Sequence, residues 1–107
     1  MIVAITGGTG FVGSHVVDAA IASGHQVKGL TRREQQPRAG VEWVLGDLES
    51  CRALEALVGD ADAVIHVAGV ISAPDATAFE QGNVAGTLAM LAAATASGVR
   101  RFVHLSS

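Results

Sequence analysis

Ile2-Val3-Ala4-Ile5-Thr6-Gly7-Gly8-Thr9-Gly10-Phe11-Val12-Gly13 is the stretch that decides the fold. Residues 2–5 are a short continuous apolar run, the pattern of a strand buried on both faces of a sheet. After the glycines, Val12, Val16, Ala19 and Ala20 fall at i, i+4, i+7 and i+8 and so share one face of a helix. Between strand and helix stands a turn with glycine at positions 7, 8, 10 and 13. Gly10, having no Cβ, lets the backbone approach a phosphate group, and Gly13 lets helix and strand pack closely. The free N–H groups and the positive dipole end of the helix face the same point, which suits an anion. Gly7, Thr9, Gly10, Phe11, Val12 and Gly13 are the binding candidates of this turn. No Gly-Lys-Ser or Gly-Lys-Thr follows, which excludes a P-loop.

Outward from this turn the chain keeps alternating short β-rich runs with helical stretches. Gly24 is placed to end the first helix as its C′ residue, and 26–31 reads as a second strand. Residues 31–40 are polar, hold Pro37 and read as a loop, and 41–45 is a brief third strand centred on Trp43. Leu54, Leu57 and Val58 mark a short helix closed by Gly59, and 61–67 is a fourth strand. A loop with Pro74 leads to a longer helix on which Val84, Leu88 and Leu91 share a face, ending before Gly98. Residues 101–105 form a fifth strand. Strands joined through helices lie parallel with right-handed crossovers. The expected fold is therefore α/β, a Rossmann-type doubly wound parallel sheet with strand order 3-2-1-4-5. Residues 1–107 form one domain of it, a dinucleotide-binding domain with the pyrophosphate on the glycine turn. An apolar strand five at an open edge normally needs a neighbour, so the sheet reads as truncated after it, with its further strands absent.

The bulk composition fits this reading. Half of the 107 residues are hydrophobic and only 16% are charged, which excludes disorder. A net charge of −3, with basic residues scattered apart from Arg32-Arg33 and Arg100-Arg101, leaves no footprint for nucleic acid or an anionic membrane. No apolar run approaches the roughly 20 residues that span a bilayer. The start of the chain has no basic segment ahead of its first strand, so a signal peptide is not expected. The single Cys51 cannot make an internal disulfide, and the expectation is a reduced, cytoplasmic protein. His15, His25, His66 and His104 with Cys51 show no metal-ligand spacing, so no metal is expected.

With Thr6-Gly-x-x-Gly10-x-x-Gly13 in place, the whole chain resembles the extended short-chain dehydrogenase/reductases of the epimerase/dehydratase type. Four more segments carry the resemblance, in order and at family spacing. Gly46-Asp47-Leu48 resembles the segment after strand three whose Asp contacts the adenine amino group. His66-Val67-Ala68-Gly69 resembles the segment after strand four that lines the cofactor. Asn83-Val84-Ala85-Gly86-Thr87 is similar to the family's helix motif, with Asn83 organising the site. Arg101-Phe102-Val103-His104-Leu105-Ser106-Ser107 resembles the fifth strand that ends on the active-site serine. On this resemblance Ser107 hydrogen-bonds the substrate oxygen and Ser106 packs beneath or touches the cofactor. The chain departs from the family at one point. The family's proton donor is a Tyr with a Lys four residues later, and here there is no Tyr, while the one Lys, Lys28, lies in strand two.

Several positions keep a plainer reading beside the functional one. In members preferring NAD an acidic residue near the end of strand two accepts the ribose hydroxyls. Here Arg32 stands in that region, where a guanidinium can pair with a 2′-phosphate, and the cofactor expectation is NADP, with NAD as the alternative. The plainer reading makes Arg32 and Arg33 a solvated loop. Asp47 contacts adenine, caps the following helix, or does both through different atoms. Asn83 serves either the site or a structural hydrogen bond. His66 and His104 are packed strand-end residues, and Trp43 is core.

The expected function is an NAD(P)-dependent oxidoreductase of the epimerase, dehydratase or reductase type, transferring hydride to a carbonyl or sugar substrate in the complete protein. A non-catalytic dinucleotide sensor, an assembly subunit and an inactive fragment are the alternatives. A homodimer is expected only of the full-length protein.

Overall fold

Strand β1 (Ile2–Thr6) is the centre of the molecule, paired in parallel with β2 (Gln26–Thr31) on one side and β4 (Ala63–His66) on the other. Strand β3 (Val41–Leu45) joins β2, and β5 (Arg101–His104) joins β4, again in parallel. The sheet order is β3-β2-β1-β4-β5, the expected doubly wound arrangement. The computed structural model describes residues 1–67 and 76–105, and of residues 76–83 the backbone alone.

Helix α1 (Phe11–Ala22) covers one face of the sheet, while α2 (Cys51–Val58) and α3 (Ala76–Ala96) cover the other. Alternate residues of β1 feed two cores. Val3 and Ile5 join Val17, Ala20 and Val27 beneath α1, and Ala4 joins Leu30, Leu54, Leu57, Val64 and Met90 beneath α2 and α3. This two-sided burial is why residues 2–5 read as an unbroken apolar run.

Two helix faces differ from expectation. On α1 the inward residues are Gly13, Val17 and Ala20, whereas Val12 is 54% exposed and Ala19 is exposed. The helix is rotated so that Gly13 meets the turn, and the faces of Val12 and Ala19 turn away. On α3, Val84, Leu88 and Leu91 do share a face, but it is the exposed one. Gly86, Met90 and Ala94 face inward, and Leu48 packs against Gly86 so closely that an added Cβ would lie 2.7 Å from its Cδ1. Both faces of α3 are apolar in sequence, so periodicity identifies the faces without saying which one meets the sheet.

The Asp47 cap reading is corrected as well. Ser50 caps α2, its hydroxyl accepting from Ala53 N at 3.3 Å, while Asp47 Oδ1 accepts from Glu49 N at 2.9 Å within the loop before it.

Candidate functional site

All five strands are parallel, so their carboxyl ends share one edge, and the order reverses at the β1–β4 pair. Open α/β sheets bind ligands in the crevice at such a reversal. The residues singled out from sequence in the described part, the turn at 7–13, Arg32, Asp47, Leu48 and Val67, all follow strand ends on this edge.

The turn is closed by two backbone hydrogen bonds, Gly10 N to Gly7 O at 3.1 Å and Ser14 N to Gly10 O at 2.8 Å. Gly7 takes φ +70°, a left-handed conformation that glycine adopts without steric cost. Gly13 has no room for a side chain, since a Cβ there would lie 1.7 Å from Gly7 O. Gly10 is different. At φ −81° its Cβ would meet only Gly7 O at 3.5 Å, an ordinary contact, so the fold itself leaves that position open. No side chain caps α1, and the first-turn N–H groups of Phe11, Val12 and Gly13 have no intrahelical acceptor. Thr9, Phe11 and Val12 are exposed around them. A bare glycine before an uncapped helix end is a cradle of the shape and polarity that a diphosphate requires.

On the flank of the turn, Arg32 stands exposed one residue beyond β2. Asp47 is exposed beyond β3, and the loop holding it is tied to β2 by Gly46 N donating to Thr31 O at 2.9 Å. Leu48 directs its side chain to the core beneath α2 and α3.

On the other flank, Val67 N donates to both the carbonyl and the hydroxyl oxygen of Thr6, at 3.3 and 3.1 Å. The Thr6 hydroxyl also lies 2.7 Å from His66 Nδ1. His66 is fully buried, and its ring stands 5.2 Å from that of His104 on β5. Burial, and secondarily the nearby His104, push the His66 pKa down to about 4, so the ring is neutral at neutral pH. Its Nε2 is buried with no hydrogen-bond partner among the described residues. The strand order expected from sequence sets the strands of His66 and His104 next to each other, but sequence reading did not find the Thr6 contact, which joins residues 60 positions apart.

Ala68, Gly69, Ser106 and Ser107 lie outside the described residues, and Asn83 is placed on α3 with its side chain outside the description. Among the described residues no group of three or more His, Cys, Asp or Glu is arranged to hold a metal ion, and no helix is long and apolar enough to cross a membrane.

Comparison with known proteins agrees with this geometry. The chain is 42% identical over 110 residues to a ceramide reductase of Caulobacter vibrioides, covering 99% of this chain and 34% of that protein. It is 34% identical over 116 residues to a UDP-glucose 4-epimerase of Azospirillum brasilense, covering 98% of this chain and 33% of that one. Among solved structures, a short-chain dehydrogenase/reductase superfamily protein of Agrobacterium tumefaciens with bound NAD superposes with a TM-score of 0.84 at 39% identity, over 100% of this chain and 33% of that one. The chain thus spans about a third of the length of the relatives it matches. The family profile described as NAD dependent epimerase/dehydratase matches residues 3–107, and the chain belongs to that family.

Proposed function

We propose that this chain is the dinucleotide-binding part of an NAD(P)-dependent oxidoreductase acting on a carbonyl or sugar-type substrate. The observation that carries the reading is the bare Gly10 before the uncapped N-terminus of α1, set at the strand-order reversal. The pyrophosphate rests on the turn at 7–13, with the N–H groups of Phe11, Val12 and Gly13 directed at its charge. Arg32 and Asp47 would hold the adenosine half, and Val67, with Ala68 and Gly69 on the family resemblance, would line the nicotinamide half. Arg32 favours a 2′-phosphate, so NADP is the preferred cofactor and NAD the alternative.

When bound, the nicotinamide supplies the hydride-exchanging carbon. Ser107 orients the substrate oxygen, Ser106 supports the cofactor, and Asn83 organises the site. On the family resemblance the proton donor would be a Tyr with a Lys four positions on, a pair that residues 1–107 do not contain. Ceramide reductase and UDP-glucose 4-epimerase among the relatives support this reaction class and leave the substrate open between lipid-like ketones and nucleotide sugars.

Calorimetric titration of the full-length protein with NADP and NAD tests the reading. Binding of either at micromolar Kd is the expected result. No binding of either dinucleotide overturns it.

A further inference from the structure

The loop between β2 and β3 stands as an arch on two footings. At the far footing Arg38 pairs with Asp18 of α1, Nη2 to Oδ1 at 2.8 Å, and its carbonyl accepts from Val41 N at 3.1 Å. At the near footing the hydroxyl of buried Thr31 donates to Arg33 O at 2.6 Å and accepts from Arg33 N at 3.2 Å. Gln35 Nε2 donates to the same two oxygens, Thr31 Oγ1 at 3.3 Å and Arg33 O at 3.2 Å. Gln35, Gln36, Pro37 and Arg38 of the loop line an open surface depression together with Trp43. The near footing is thus a set of hydrogen bonds centred on the hydroxyl of one buried threonine.

The residue enclosed by the Thr31–Arg33 hydrogen bonds is Arg32. We infer that Thr31 and Gln35 are positioning residues that hold the Arg32 backbone where its guanidinium meets the 2′ group, and so set the discrimination between 2′-phosphate and 2′-hydroxyl dinucleotides. The inference rests on the proposed reading of Arg32. A guanidinium fork is specific only when its geometry is fixed in advance, and a long side chain on an unpinned loop loses affinity to ordering. The pyrophosphate contacts are common to both dinucleotides and lie on the glycine turn. Loosening the near footing therefore weakens NADP selectively.

The test measures Kd for NADP and NAD on the full-length protein and on Gln35→Ala, Thr31→Val, Thr31→Ser and Arg32→Ala. Gln35→Ala and Thr31→Val are expected to lower the preference for NADP about 3- to 10-fold, the size of one or two lost hydrogen bonds, with the NAD Kd held within about 2-fold. Thr31→Ser, which keeps the hydroxyl, is expected to retain the preference. Equal weakening for both dinucleotides, or an unchanged preference in Gln35→Ala and Thr31→Val while Arg32→Ala loses it, overturns the inference and leaves the Arg32 reading intact. A parent protein that favours NAD, or an Arg32→Ala protein that keeps the parent preference, overturns both.

Discussion

His66 Nδ1 and the Thr6 hydroxyl meet at 2.7 Å across the β1–β4 pair, inside the sheet and directly below the strand-order reversal. The same hydroxyl accepts from Val67 N at 3.1 Å, so one side chain ties the strand before the glycine turn to the first residue after β4. A buried imidazole beside a hydroxyl is stable only while neutral, because charging it without a counter-charge carries a large desolvation cost. The two walls of the crevice are thus joined through an imidazole that stays neutral down to about pH 4.

That has a consequence for acid stability. His66 has a folded pKa of about 4 against an ordinary 6.5, so between these values the unfolded chain takes up a proton that the folded chain refuses. Stability falls as pH drops through this window and levels off below it. Between about pH 7.5 and about pH 5 this one group removes about 2 kcal/mol. In His66→Asn, whose amide keeps polar atoms near Nδ1, urea unfolding is expected to show a shallower slope with pH, losing about 2 kcal/mol less between about pH 7.5 and about pH 5. Equal slopes in parent and variant would show that His66 is not the group responsible.

The last two glycines of the turn, Gly10 and Gly13, are expected to separate fold from function. Gly13→Ala drives a Cβ to 1.7 Å from Gly7 O and 2.9 Å from Gly8 Cα, both backbone atoms that cannot swing aside. It should destabilise by about 2–3 kcal/mol or more and abolish dinucleotide binding with it. Gly10→Ala meets only an ordinary contact at a permitted φ of −81°. Its stability should change by less than about 1 kcal/mol, while the methyl over the N–H groups weakens dinucleotide binding at least about 10-fold. Thermal melts and calorimetry on the pair check this. An unaltered Kd in Gly10→Ala would mean that the pyrophosphate does not lie on this turn.

Much of this architecture is legible in the sequence, for identifiable reasons. Strands β1 and β4 are short apolar runs, the strands alternate with helical stretches, and the strand order follows from parallel pairing through helices. The turn at 7–13 is legible because its spacing is local. The inward faces of α1 and α3 are not. Gly13 and Gly86 determine which side meets the sheet, through close contacts with Gly7 and Leu48, and a hydrophobicity pattern gives no weight to an absent side chain. The Thr6–His66 and Lys28–Asp60 contacts are not legible either, since each joins residues far apart in the chain.

Lys28 shows how such a distant contact is tested. It lies inside β2, yet its ammonium reaches past α2 to donate to Ala56 O at 2.5 Å and Asp60 Oδ1 at 2.9 Å, with Glu42 at 3.5 Å. The hydrogen bond from Lys28, followed by its charge, holds the Asp60 carboxyl below its ordinary value of 3.8. A depressed carboxylate pKa favours the folded state above the ordinary value, and that contribution is lost as pH falls through the folded one. Lys28→Met keeps the aliphatic stem against the sheet and removes the donor from the last turn of α2. The variant is expected to lose little stability, because water can replace Lys28 at the exposed Ala56 carbonyl. Carbon-detected NMR titration should show the Asp60 pKa rising toward its ordinary value. An Asp60 that titrates as in the parent would mean that Lys28 does not set its charge, and that this ammonium serves the end of α2 alone.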